Sequence, residues 1–289
     1  MRLDGRVAVI TGAGSGIGAA SALAMAREGA RVAVVDLNEA GAKSTVEQIE
    51  KAGGRALAMR ADVTRAADNQ MIVERALAAW GTLDIFFANA GVPQSPEDVE
   101  QVDEAIFDRI MAVNVKGVWL GAKYALPVMK KQRRGVFLIT ASTAAIRPRP
   151  GMQAYAASKG AVVTLTKSLA LEAAGHGVRV VSIAPVATET PMLPAFMGKK
   201  SVDAEGLARF EATVPLGRLN QPDDLARTAV FLASDDAAMI TGTCVEVDGG
   251  RCIWRFSLRG WREGPSSGCG RASVIHDDSC VERAPRIGI

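Results

Sequence analysis

The stretch "RVAVITGAGSGIG" (residues 6–18) decides how the rest of the chain is read. Its first part is apolar at successive positions. A strand made from it needs cover on both faces, which a parallel sheet layered between helices provides. Its second part gathers glycines into a turn that leads into the helical run "AASALAMARE" (19–28). Glycine tolerates φ > 0 and has no Cβ, so this turn lets the backbone approach a pyrophosphate at a helix N-terminus. The spacing is T-G-x-x-x-G-x-G, with Gly12, Gly16 and Gly18, and Ile17 breaks the register of G-x-G-x-x-G. We read the turn, including Ser15 and Ile17, as a dinucleotide cradle rather than a purely structural loop.

Outward from this stretch the alternation persists. Short apolar runs at 31–36, 55–62, 83–89, 135–141, 178–184 and 243–249 continue the strand series. Helical periodicity fills the intervals, notably at 39–53, 64–80, 102–130, 155–174 and 222–234. Strands alternating with helices predict an α/β fold, a doubly wound parallel sheet with right-handed crossovers. No composition break occurs before residue 250, so residues 1–250 read as a single domain, with 186–215 as a lid-like insertion over the substrate. Residues 251–289 differ in texture, holding Gly/Ser/Pro/Arg clusters and no clear period, and read as an atypical C-terminal tail, irregular or partner-docked.

The chain has 289 residues, 48% of them hydrophobic and 22% charged, which is globular composition. The net charge of +3 comes from the tail, with its seven Arg against four acidic residues, so the body is neutral and offers no nucleic-acid surface. No apolar run is long enough to cross a bilayer, and the start reads as strand rather than leader, so a cytoplasmic protein is expected. The four cysteines and two histidines match no zinc spacing, so no metal site is expected and the thiols are read as free.

Asp36 closes the second strand, followed by Leu37. A carboxylate there accepts hydrogen bonds from the adenosine ribose and repels a 2′-phosphate, and neither Ser15 nor Leu37 offsets it with a cation. NAD is therefore expected over NADP; a simple helix cap is the bland alternative for Asp36.

Tyrosine is scarce, with only Tyr124 and Tyr155, yet Tyr155 stands four residues before Lys159 in "AYAASKG". On a helix the two share a face. An ammonium beside the phenol favours phenolate and brings the tyrosine toward acid/base use near neutral pH.

With these pieces assembled, residues 5–250 resemble the short-chain dehydrogenase/reductase family, NAD-preferring and similar to its 3-oxoacyl reductases and secondary-alcohol dehydrogenases. The resemblance is carried by Thr11-Gly12-x-x-x-Gly16-x-Gly18, Asp62-Val63, Asn89-Ala90-Gly91, Asn114, Ser142, Tyr155-x-x-x-Lys159 and the Pro185 loop to Thr190. It implies a Rossmann fold and hydride transfer between NAD(H) and a secondary alcohol or ketone, with a small-molecule substrate. It also implies a homotetramer, a dimer being the alternative. Tyr155 would exchange the substrate proton, Lys159 would bind the nicotinamide ribose, and Ser142 would hold the substrate oxygen. Asn114 would position a water linked to Lys159. Asp62 and Val63 would frame the adenine, Asn89, Ala90, Gly91, Pro185 and Thr188 would line the cofactor, and Thr190 would contact the carboxamide. A binding protein without turnover is the rival reading.

Two features stay open at this level. Met192, Leu193, Phe196 and Met197 give the lid an apolar underside that either faces the substrate or only packs the lid down. Arg147 and Arg149, flanking Pro148, are read as solvated loop charges, with attraction of an acidic substrate as the alternative.

Overall fold

The computed structural model describes residues 1–254. The tail's thiols Cys269 and Cys280, its His276 and most of 252–258 lie outside the described residues. Among the described residues, seven strands form one sheet in the order β3-β2-β1-β4-β5-β6-β7, every pairing parallel. They are β1 (Val7–Thr11), β2 (Arg31–Asp36), β3 (Arg55–Arg60), β4 (Ile85–Ala88), β5 (Gly135–Thr140), β6 (Val178–Pro185) and β7 (Cys244–Val247). The order reverses between β1 and β4, and a crevice opens beyond the carboxyl ends of strands at such a switch point.

Side chains alternate across the strands, and the central strands are buried on both faces, the edge strands β3 and β7 only partly. On one face Val9, Val35, Phe86 and Phe137 pack under α3 (Ala66–Trp80), α5 (Gly117–Gln132) and α6 (Gln153–Ala174), with Phe86 and Phe137 stacked 5.1 Å apart. On the other, Ala8, Ile10, Val34 and Leu138 pack under α1 (Gly16–Arg27), α2 (Glu39–Lys51) and α9 (Pro222–Ala233). Each fully buried Val, Leu or Phe contributes roughly 1.5–3 kcal/mol, so these two layers hold the sheet rigidly under the site. Helix starts follow local chemistry. Asn38 accepts the Gly41 N–H at the head of α2, and α9 opens with Pro222 inside a Gln221/Asp224 capping box.

The structure departs from the expected elements in instructive places. The first helix begins at Gly16 rather than 19, so the glycine turn and the helix overlap. The expected continuous helix 102–130 is two helices, α4 (Glu104–Met111) and α5, joined by a π-helical turn at Ala112–Lys116. A wide turn of this kind displaces one residue from the ladder, and Asn114 sits in it.

The insertion after β6 carries α7 (Leu193–Phe196) and α8 (Ala204–Glu211) around its own small core of Val186, Leu193, Phe210, Val214 and Leu219. Its two ends are stitched together at the sheet. Asn220 donates to the Ala187 carbonyl at 3.1 Å, accepts from the Glu189 N–H at 2.9 Å, and its side chain donates to the Val247 carbonyl at 2.6 Å.

Candidate active site

A cavity of about 680 Å³ runs along the carboxyl ends of the strands and under the insertion. At one end its floor is the glycine turn. Gly12 has φ +64°, and a Cβ on it would come within 2.8 Å of the Ala90 Cα. A Cβ on Gly18 would lie 2.2 Å from the Gly12 carbonyl oxygen. The turn is therefore pressed against the Asn89-Ala90-Gly91 segment, and only glycine fits. The Asn89 side chain locks this contact, donating to the carbonyls of Thr11 (3.0 Å) and Gly12 (3.2 Å) and accepting from the Thr140 hydroxyl (3.0 Å). Ser15 stands at the N-cap of α1 in extended conformation without a side-chain capping bond. Helix geometry leaves the amides behind it without intrahelical acceptors, directed at an incoming anion.

Asp36 lines the same end, its two oxygens accepting the Gly14 and Asn38 N–H groups, both at 2.8 Å. Leu37 beside it is 60% exposed. Asp62 is braced by the Thr64 amide (2.9 Å) and hydroxyl (2.8 Å), with Val63 next to it on the cavity wall. Pro185, Thr188 and Thr190 descend from β6 on the opposite side, and Ala90 and Gly91 close the floor.

The chemistry-bearing group lies at mid-cavity. Tyr155, Ser142 and Lys159 all line it and all are buried. Ser142 caps the turn Thr143–Ala145 by accepting the Ala144 N–H at 3.1 Å, which fixes its hydroxyl beside the phenol. Lys159 donates to the Thr140 carbonyl at 2.7 Å and lies 5.7 Å from the Tyr155 ring centroid. Asn114 is wholly buried; its side chain accepts from the Val92 N–H at 2.8 Å and donates to the Val92 carbonyl and the Ser158 hydroxyl, each at 3.1 Å. A Cβ on Gly91 would lie 3.2 Å from the Asn114 Oδ1 and 3.7 Å from the Lys159 Nζ, so glycine leaves the space between them.

Of the residues expected at the site, Gly18 and Asn114 do not line the cavity. Gly18 packs beneath the turn and Asn114 lies behind Gly91, so each acts by holding what does line it. The electrostatic expectation also needs correction. Burial pushes Tyr155 up to about 12, with the Ser142 hydrogen bond and then the Arg149 charge pulling the other way. Burial likewise pushes Lys159 down to about 8. In the protein alone, desolvation of the phenol outweighs the opposing effects of Ser142 and Arg149, and it stays protonated at neutral pH.

Several residues in and around the cavity escaped the sequence reading. Gln94, behind the lining, is buried and accepts the Tyr155 N–H at 2.9 Å, tying the start of α6 to the loop after β4. Arg147 and Arg149 are cavity lining rather than solvated loop charges, and Arg251 joins them. The question of the insertion's underside resolves into a division. Leu193 and Met197 pack in the insertion's own core, Met192 lines the cavity, and Phe196 does both, meeting the Tyr155 ring edge-on at 5.2 Å. A spacing-based reading could not assign these because the segments converge only in three dimensions.

Residues 12–251 match the sequence model of a family described as enoyl-(acyl carrier protein) reductase. The 4-formylbenzenesulfonate dehydrogenase of Comamonas testosteroni is 45% identical over 253 residues, 88% of this chain and 100% of that protein. The chain belongs to the short-chain dehydrogenase/reductase family. It is thus an oxidoreductase acting on CH–OH or keto groups, on a Rossmann-type sheet. The 3β-hydroxysteroid dehydrogenase 1 of Eggerthella lenta is 39% identical over 87% of this chain and 95% of its own length. A crystal structure of 3-ketoacyl-(acyl-carrier-protein) reductase from Brucella melitensis, complexed with NADH, superimposes with a TM-score of 0.81 at 45% identity. That match covers 87% of this chain and 100% of the other.

Proposed function

We propose that this protein transfers a hydride between NAD(H) and a secondary alcohol or its ketone, with Tyr155 as the proton carrier. The observation that carries this is the placement of Tyr155, Ser142 and Lys159 together on the wall of a cavity whose other end is the glycine turn. The residues fit a dinucleotide: only glycine fits at positions 12 and 18, the head of α1 is uncapped by Ser15, and the Asp36 carboxylate faces the cavity. That carboxylate favours a free ribose hydroxyl over a 2′-phosphate, so we assign NAD rather than NADP.

When bound, the nicotinamide supplies or accepts the hydride. The chain's own residues do the rest. Tyr155, protonated at rest, donates its phenolic proton to the carbonyl oxygen as a ketone is reduced and takes it back in alcohol oxidation. Ser142 donates to that oxygen and stabilises the charge gathering there. Lys159 holds the cofactor ribose and offsets the phenolate, and Asn114 fixes the backbone at Val92 and the hydroxyl of Ser158 around it. Ser15, Gly16, Ile17, Leu37, Asp62, Val63, Asn89, Ala90, Gly91, Pro185, Thr188 and Thr190 hold the cofactor. We assign catalysis to residues 1–250, with 186–215 as lid, and infer a cytoplasmic homotetramer. Exposed Ile106, Phe107 and Trp119 on α4 and α5 and Leu171 on α6 support association along these helices.

Tyr155→Phe tests the reading. It removes only a hydroxyl, so NADH binding, followed by fluorescence, stays within about twofold while kcat falls by about 10²–10⁴. Retained turnover would refute the role of Tyr155, and a wild-type protein that binds NADH yet turns over no alcohol or ketone would favour a binding protein.

A further inference from the structure

Beyond Tyr155 the cavity ends in a wall whose charge has one sign. Arg147, Arg149 and Arg251 line it there. The carboxylates that line the cavity among the described residues are Asp36 and Asp62, both at the adenosine end. Arg149 and Arg147 come from the loop between β5 and α6, and Arg251 follows β7, so three guanidiniums reach one place from two sides of the sheet edge.

Arg147 and Arg149 are held rather than splayed into solvent. The Arg149 guanidinium lies over the Phe210 ring at 4.5 Å and donates to the Met152 sulfur at 3.0 Å. Arg147 donates to the Arg251 carbonyl at 2.9 Å, which fixes one arginine on the backbone of the next. The Arg251 Nη1 is buried without a hydrogen-bond partner. The acid close to it, Asp248, attracts it, yet both carboxylate oxygens already accept backbone N–H groups, from Gly250 at 2.9 Å and Cys252 at 2.7 Å. Burial and mutual repulsion weaken the protonated forms, Arg149 falling to about 10 through burial and then the Arg251 charge. Arg251 is lowered in the same way by burial and Arg147.

We propose that this wall is an anion subsite that receives an acidic oxyanion group, a carboxylate or sulfonate, borne by the substrate at the end remote from its reacting carbonyl or carbinol carbon. Planar guanidiniums match the paired oxygens of such a group, and their weak hydration lowers the cost of using them away from water. Phe196, Met192 and Phe210 line the cavity too, so the spacer that joins anion to carbonyl is apolar, aryl or alkyl. The proposal rests on the dehydrogenase reading for the position of the reacting carbon and adds the substrate class to it.

The test uses the full chain with NADH and matched probes: 4-acetylbenzoate and 4-acetylbenzenesulfonate against acetophenone, and 4-oxopentanoate against 2-pentanone. Dissociation constants for the protein–NADH complex are read by calorimetry, and NADH oxidation is followed separately. At low ionic strength at least one anionic probe binds about tenfold or more tighter than its neutral partner, the scale expected of a desolvated charge pair. That ratio shrinks in about 0.5 M NaCl, where exposed parts of the attraction are screened. Arg149→Gln and Arg251→Gln each reduce the ratio toward one, whereas Arg251→Lys keeps part of it. Taking the ratio within each variant, with its thermal melt alongside, separates loss of recognition from loss of folding. Equal affinity of charged and neutral probes in the unmodified protein overturns the subsite whatever the variants do. Selective anion binding without NADH oxidation on any probe keeps the subsite and counts against the dehydrogenase reading instead.

Discussion

The two ends of the cavity are built from different materials. The cofactor end is mostly backbone: a glycine turn pressed to within van der Waals contact of Ala90, amides at the head of α1, and one carboxylate at the tip of β2. The substrate end is mostly side chain, with Phe196 and Phe210 from the insertion and arginines from two separate segments. Backbone shape of this kind tolerates little change, and the few side chains that brace it, Asn89 and Asp36, bond to the backbone itself. A side-chain wall can be rewritten one residue at a time. The contrast explains how one fold serves relatives named for an aryl sulfonate, a steroid and an acyl carrier protein.

The strongest way to break the cofactor end is Gly18→Ala. The new methyl group meets the Gly12 carbonyl at 2.2 Å and the Asn89 amide nitrogen at 2.6 Å, and the carbonyl belongs to backbone that cannot swing aside. Overpacking of this kind costs about 1–3 kcal/mol. Thermal melting should show a drop of several degrees, and NADH affinity should weaken by about tenfold or more as the turn shifts away from the helix head. An unchanged melt with unchanged NADH binding would mean that the turn is not the rigid element described.

A middle-sized effect sharpens the assignment of NAD. Asp36→Ser combined with Leu37→Arg removes the repelling carboxylate and places a guanidinium at an exposed position where it can reach a 2′-phosphate. The ratio of kcat/KM for NADP over NAD should rise by about 10–100-fold. Because Asp36 also holds the Gly14 and Asn38 amides, part of the change will appear as weaker binding of both cofactors. No shift in the ratio would place the discrimination elsewhere.

The same contrast governs what could be read from the sequence. All seven strands were legible as short, largely apolar runs, continuous in the buried central strands and broken by charge in the edge strands β3 and β7. The glycine turn was legible because so tight a backbone turn needs glycine at fixed local spacing, as at Gly12, Gly16 and Gly18. The π-helical turn at Ala112–Lys116 carries no glycine or proline to announce it, so a continuous helix was expected there. Arg147 and Arg149 looked solvated because nothing local says that Phe210, some sixty residues on, supplies a ring for one of them, or that Arg251 returns to the same wall. Glutamine 94 (Gln94) has no motif at all, yet it anchors the helix of Tyr155. The burial that keeps the phenol protonated is set by the packing of several elements, which a spacing of four residues cannot weigh.

The smallest effect probes the substrate end. Phe196 sits edge-on to Tyr155 at 5.2 Å and also packs against the insertion's own core of Leu193, Val214 and Leu219, so Phe196→Ala is measured with a thermal melt beside it. An aromatic edge-to-face pair contributes about 0.5–1.5 kcal/mol, which corresponds to roughly a 2–12-fold change. KM for an apolar ketone should therefore rise within that range, because Phe196 walls the space where the spacer lies. NADH affinity should stay as it is, since the cofactor end owes its shape to backbone about the glycine turn. If NADH binding weakened in step with KM, the insertion would have to close over both ligands together, and the division of the cavity into a fixed cofactor end and a replaceable substrate end would fail.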